Sequence, residues 1–374
     1  MKTLIINDCH LGTSRSSGTT PASSAALRQY LFDEYNALLT RHLDKHLFIN
    51  GDLFDHFSED EATLDQTLGM LVTWLNKTKD GQKLTLSCGN HDASAKGDKL
   101  SSFHLLTNIL KLFYPDRVTV VDIGQLYTLQ HRVAVLAHCH NQDLFEMGLN
   151  NILDNIRAGN VNTLFLHANV LSPFSEQHDH SLAVTEDMAR RFVNAGIRLV
   201  FAHDHHNRCI NLNAIGTKTT SQFDTNSHII VLGNQFPASI ADCLSHGKAQ
   251  ANGRKFAHIM DEEGRISQVE TWNSNAFIDV DWQELDKVNG EMFVRVSGEA
   301  AQSQAGEVVS VIAKFRSQSD AYVVSNNVQI EGIGSIEDID GISLEQIKAF
   351  DVRAALLEMF EPDERKVLEK VLEN

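Results

Sequence analysis

The stretch Ser87-Cys88-Gly89-Asn90-His91-Asp92 follows a short run, residues 83–86, with the length and composition of a buried strand. Gly89-Asn90 is a turn dipeptide, so the chain leaves that strand sharply. It then presents an amide, an imidazole and a carboxylate in succession. Three groups able to bind metal or transfer protons suit a site at a strand end better than a core. Four further segments have the same form and also follow apolar runs: Asp8-Cys9-His10, Gly51-Asp52-Leu53-Phe54-Asp55, His167-Ala168-Asn169 and His203-Asp204-His205-His206. Asp8 and His10, and again His203 and His205, stand two residues apart. Residues i and i+2 of an extended segment project to the same side, so each pair can face one ion. Gly51 lets the backbone approach a site closely.

Working outward, strands are predicted over residues 4–7, 46–50, 83–86, 118–121, 127–129, 133–137, 163–166 and 199–202. Helices are predicted over 25–39, 64–75, 100–113, 144–156 and 188–195, and the Ser/Thr/Gly-rich residues 13–23 read as a loop. Buried strands alternating with helices predict an α/β core with largely parallel pairing. In such sheets function gathers beyond the carboxyl ends of the strands, where all five polar segments fall. His138-Cys139-His140 is a further ligand-like pair, read as structural or peripheral because the other segments already supply enough donors.

Residues 228–272 are β-rich and are expected to complete a second sheet packed on the first. The character changes near Asn273. Strands over 291–296 and 321–329 around a helix over 305–315 predict a small α+β unit. Residues 332–341 form a Gly/Ile/Asp-rich linker. Residues 344–372 form an acidic tail with an apolar helical stripe, broken by Pro362. The expected division is a core over 1–272, the α+β unit over 273–331, and the linker with its helical tail over 332–374.

The 374 residues are 42% hydrophobic and 22% charged, which is ordinary for a globular protein with a sizeable core. No apolar run approaches the ~20 residues of a membrane span, and no leader sequence is visible. The five cysteines (Cys9, Cys88, Cys139, Cys209, Cys243) are dispersed and never in a CxxC pair, so a reduced, cytoplasmic setting is expected. The formal net charge of -17 weighs against a nucleic-acid partner, which ordinarily meets a basic face. Part of that acid lies in the tail, and carboxylates gathered around metals would be neutralised locally.

Asp8, His10, Asp52, Asn90, His167, His203 and His205 are too many nitrogen and oxygen donors for one ion, and suit two with one carboxylate bridging. Mixed imidazole and carboxylate fits manganese, iron or zinc. Two such ions clamp a phosphate, generate hydroxide from bound water and stabilise charge on the phosphoryl oxygens. His91, adjacent to Asn90, reads as a general acid or transition-state stabiliser.

Asp8-x-His10, Gly51-Asp52-x-x-Asp55, Gly89-Asn90-His91-Asp92, His167 and His203-x-His205 resemble the signature of calcineurin-like metallophosphoesterases. The resemblance implies an αββα sandwich with two divalent metal ions, most often Mn2+, with Fe2+, Zn2+ or Mg2+ as alternatives. It implies one ion on Asp8, His10, Asp52 and His205, the other on Asp52, Asn90, His167 and His203, and catalytic roles for His91 and Asp55. One departure is Ala202, where the family usually has glycine. Within the superfamily the layout resembles SbcD-type DNA repair nucleases. Val231-Leu232-Gly233-Asn234, the hairpin around residues 255–272, the α+β unit and the C-terminal helices all have counterparts there. That resemblance implies DNA as substrate, a homodimer through the helices at 64–75 and 100–113, and an ABC-type ATPase docked on the tail, with no membrane partner. Arg190, Arg191, Arg198, Lys248, Arg254 and Lys255 are candidate DNA contacts. A small-molecule phosphodiesterase fits the acidity better but gives no reason for the extra unit and tail. A non-catalytic scaffold is disfavoured by the complete donor set.

Overall fold

The structure, a computed structural model, describes residues 1–13, 21–94, 99–130, 132–155, 161–171, 181–204, 206–213, 216–239, 242, 244–245, 248–249, 255–271, 276–288, 293–331 and 334–335. The predicted acidic tail and His205 lie outside the described residues. Contacts divide the chain into two compact units between residues 274 and 275.

In the first unit the elements run β1 (Thr3–Ile6), α1 (Pro21–Arg41), β2 (His46–Asn50), α2 (Glu61–Lys77), β3 (Leu84–Ser87), α3 (Ser102–Phe113), β4 (Val118–Val121), β5 (Leu126–Gln130) and β6 (Val133–Leu136). They continue with α4 (Gln142–Asn155), β7 (Thr163–His167), α5 (Glu186–Asn194), β8 (Arg198–Ala202), β9 (Arg208–Asn213), β10 (Gly216–Thr220), β11 (Ile229–Val231), β12 (Phe256–Met260) and β13 (Ile266–Glu270). Helix starts follow local chemistry. Asp60 accepts a hydrogen bond from the Thr63 amide at the head of α2, and Ser101 and Thr185 cap α3 and α5 the same way. Helix α1 starts at Pro21, so it takes up the last part of the stretch read as a loop. Proline's fixed φ suits a first helical position, where the missing N–H has no partner to lose.

Two sheets form. The first has the order β13-β12-β1-β2-β3-β4, the second β10-β9-β11-β8-β7-β6-β5. Strands β1 to β4 are mutually parallel, as are β6, β7, β8 and β11. The sheets face each other through Ile5, Phe48 and Val121 on one side and Val135, Phe165 and Val200 on the other. Phe48 and Phe165 meet edge to face with ring centroids 5.4 Å apart. Phe145 and Leu149 of α4 and Ala189 and Phe192 of α5 cover the outer face of the second sheet. This is the αββα sandwich of an α/β fold. The closing hairpin corrects one expectation. β12 pairs antiparallel with β1, Ile5 opposite His258, and so completes the first sheet, while only Ile229–Val231 joins the second. β1 has β2 on one edge only, and its other edge needs a partner.

In the second unit β14 (Phe277–Asp281), β15 (Phe293–Ser297) and β16 (Tyr322–Asn326) pair in parallel. Helix α6 (Ala305–Gln318) buries Val308, Ile312 and Phe315 against a core that includes Trp282, Val294 and Val296. This unit is α+β in content.

Candidate metal centre

The parallel strands of both sheets end on the same side, and the polar segments follow those ends. Asp8 and His10 follow β1, Asp52 follows β2, Asn90 and His91 follow β3, His167 ends β7, and His203 follows β8. Turning the chain into one small volume forces unusual backbone. Asp8 (φ 47°), His10 (45°), Asp52 (49°) and His203 (79°) all adopt the left-handed region, which side chains with a Cβ rarely occupy. Strain of this kind persists only where the surroundings over-determine it. Gly51 (φ 84°) and Gly89 give the room. A Cβ on Gly51 would lie 2.2 Å from His167 Nδ1, and one on Gly89 would lie 2.2 Å from Asp52 Oδ1. Ala202 takes no positive φ and ends β8 in register with His167, so its methyl is accommodated.

Asp52 is the hub and is fully buried. Its Oδ1 accepts the His91 amide at 2.9 Å. Its Oδ2 faces His167 Nε2 at 3.1 Å, His10 Nε2 at 3.9 Å and His203 Nδ1 at 3.9 Å. Burial opposes the Asp52 charge, but the His167, His203 and His91 imidazoles hold its pKa well below the ordinary carboxylate value. Asn90 Oδ1 lies 2.8 Å from His167 Nε2, while His167 Nδ1 faces the Asn50 carbonyl at 3.3 Å. A carbonyl only accepts, so the His167 proton sits on Nδ1 and Nε2 is turned toward two oxygen acceptors. Burial opposes protonation of His167 and His10, yet Asp52 beside the first and Asp55 and Asp52 beside the second raise both pKa values to about 9.

Donor atoms within 4.8 Å of one another form two groups among the described residues: Asp8, Asp52, His167 and His203, and His10, Asp52 and His91. The two groups share Asp52, as a bridging carboxylate would. Buried oxygens and imidazole nitrogens gathered in two groups with one shared carboxylate fit two divalent cations. Bound there, the ions would activate water and neutralise the charge on a phosphoryl group.

The remaining predicted residues fall around this hub. His91 Nδ1 donates to the Asp55 carbonyl at 2.7 Å, which leaves Nε2 as its chemical end. The Asp55 carboxylate lies 3.1 Å from His10 Nδ1, which turns His10 Nε2 toward Asp52. That contact orients the His10 imidazole. His138 is buried at the head of the second sheet, its amide donating to the Cys88 carbonyl. Burial, with His167 nearby, lowers its pKa to about 3. Sequence reading took Asp92 only as one of three groups able to bind metal or transfer protons; its buried carboxylate accepts from the Leu53, Phe54 and Gly89 amides and so ties the Asp52 loop to the Asn90 loop. Four of the proposed DNA-contact cations are engaged within the protein: Arg190 with Glu186, Arg191 with Asn150, Arg198 with the Ser227 carbonyl, and Lys255 with Asn234. Arg254 and the Lys248 side chain lie outside the description.

A double-sheet sandwich with a carboxylate-centred donor cluster at its strand ends defines a metallophosphoesterase. The sequence profile of the calcineurin-like phosphoesterase family matches residues 1–207, and the chain belongs to that family of metal-dependent phosphoester hydrolases. Among solved structures it is similar to a purple acid phosphatase from yellow lupin (Lupinus luteus) seeds, with 9% identity and a TM-score of 0.40 over 74% of this chain and 52% of that one. The chain thus spans about half the length of that structure. No curated protein matches it. No helix among the described residues is long and apolar enough to cross a membrane.

Proposed function

We propose that the protein is a two-metal DNA nuclease that works as the hydrolytic subunit beside an ABC-type ATPase. The observation that carries the phosphodiesterase chemistry is the pair of donor groups sharing Asp52; His91 stands in the second group, and its Nε2 is the proposed atom for proton transfer or for contact with the phosphoryl oxygens. Manganese is the expected ion by the resemblance to SbcD-type nucleases, and the mixed donor set accepts it as it accepts iron or zinc. DNA as substrate is supported by the layout beyond the family-matched residues: a closing hairpin on the first sheet and then a separate α+β unit. A homodimer is supported by α3, where Leu105, Leu112 and Phe113 are 40%, 76% and 70% exposed. The C-terminal segment is the proposed ATPase contact.

A second reading, a nucleotide or small-molecule phosphodiesterase, is favoured by the net charge of -17 and by the engaged state of the candidate DNA-contact cations. Linear duplex DNA with Mn2+ separates the two. Degradation by the intact chain, lost in His91→Ala, is the expected result. Hydrolysis of bis(p-nitrophenyl) phosphate without DNA cleavage, even with the ATPase present, would favour the small-substrate reading.

A further inference from the structure

Beyond the five motifs, a buried amide pair controls Asp8. Asn7 and Gln235 are both fully buried and 228 residues apart. The Asn7 amide N–H donates to Gln235 Oε1 at 2.8 Å, and Gln235 Nε2 donates back to Asn7 Oδ1 at 3.1 Å. Gln235 Nε2 also donates to the Gly233 carbonyl at 3.1 Å, which fixes which end of the Gln235 side chain is nitrogen. With Oδ1 of Asn7 engaged as an acceptor, its Nδ2 must be the end that meets Asp8 Oδ2, and it does so. The His203 amide donates to both Asp8 oxygens, at 3.1 and 3.0 Å. Among the described residues the Asp8 carboxylate is therefore held by two donors, of which one is set by a residue outside residues 1–207.

We infer that Gln235 is a positioning residue for Asp8, acting through Asn7. The inference rests on the reading of Asp8 as a metal-holding carboxylate. Its physical basis is orientation. An apolar side chain at 235 releases Asn7 Oδ1, the Asn7 side-chain amide keeps only the long contacts of Nδ2 with the Leu232 and Gly233 carbonyls at 3.5 and 3.4 Å beside Asp8, and the donor that fixes which Asp8 lone pairs face the cation is loosened. Gln235 is itself anchored, since its carbonyl accepts from the Thr271 hydroxyl at 2.9 Å. The segment after β11 and the end of the closing hairpin thereby help build the site.

The test is a double-mutant cycle on the full chain, read by calorimetric titration with Mn2+ and by the melting temperature without metal. Gln235→Met and Asn7→Ala should each weaken one of the Mn2+ sites roughly tenfold, and the double variant should be no weaker than Asn7→Ala alone. Unchanged Mn2+ affinity in Gln235→Met, or losses that multiply in the double variant, would overturn the inference. A purely structural role would lower the melting temperature and leave the affinity unmoved. If Gln235→Met does not fold, Asn7→Ser carries the test. It keeps the backbone donor to Gln235 but removes the side-chain amide that both reaches Asp8 and accepts from Gln235 Nε2, and unchanged affinity there overturns the inference equally. A wild-type chain that takes up no Mn2+ would remove the metal reading and the inference together. Normal uptake in both wild type and Gln235→Met would remove the inference alone.

Discussion

His91 can work chemically only through Nε2, because Nδ1 is committed to the Asp55 carbonyl. Replacing it with alanine should lower phosphodiester hydrolysis by about 10²–10⁴-fold, the usual worth of a positioned proton-transfer group. The measurement is turnover of bis(p-nitrophenyl) phosphate at saturating Mn2+, and a loss below tenfold would remove His91 from the chemistry. Gly89 makes a sharper steric prediction. Its added Cβ would lie 2.2 Å from Asp52 Oδ1 and 2.3 Å from the Asp52 nitrogen, and both are held on the hub. Gly89→Ala should therefore lose bound metal, read as metal per chain after dialysis, and a fully loaded Gly89→Ala chain would refute the close approach. The motif residues were legible in the sequence because strand-end Asp, His and Asn at fixed spacings are local signals. The supporting contacts of Asn7, Gln235 and Asp92 were not. Each is an ordinary polar residue whose meaning comes from partners 38 to 228 residues away.

At the scale of elements, period and length located most strands and helices of the first unit, but they do not say which edge a strand joins. The closing hairpin shows this. Its alternation marks two strands, while its place on the first sheet depends on the open edge of β1. The hairpin of β9 and β10 went unread because Asn211, Asn213 and a run of threonines mask its alternation; three threonines of β10 stand among exposed or half-buried positions. Helix α3 carries a prediction that belongs to this scale. Its inner face is already served by Phe103, Leu106, Thr107 and Leu110. Leu105, Leu112 and Phe113 point elsewhere and stay exposed. Leu112→Lys should convert a dimer to a monomer in sedimentation at micromolar concentration, with little change in melting temperature. A wild-type chain that sediments as a monomer would exclude this face as the dimer contact.

Stability of the whole molecule should depend on pH in two opposite ways. His258 lies between β1 and β13, opposite Ile5 and beside Phe223, and neither ring nitrogen has a hydrogen-bond partner among the described residues. Burial lowers its pKa from 6.5 to about 3. The unfolded chain therefore binds a proton that the folded chain refuses, so stability is full above about pH 6.5 and falls as the pH drops toward 3. At 1.36 kcal/mol per unit, the loss from this one group is about 3 kcal/mol by about pH 4. His10 and His167 behave in the reverse sense. Their folded pKa values of about 9 lie above 6.5, so in the metal-free protein their contribution is complete below about pH 6.5 and disappears as the pH rises through 9. Those protons also compete with cations for the same nitrogens, so Mn2+ affinity should climb between pH 6.5 and 9 with proton release on binding. His258→Phe separates the two effects, because it removes the acid-side titration at a residue that is not part of the donor cluster. Denaturant unfolding of the metal-free chain from pH 7 to pH 4 should show a shallower loss in His258→Phe than in wild type; His138 acts in the same direction as His258, and Asp92, whose pKa burial and Asp52 raise to about 7, acts against both. The rise of Mn2+ affinity toward pH 9 should be the same in both. Equal acid sensitivity in the two chains would mean that His258 finds a partner for its proton in the folded state.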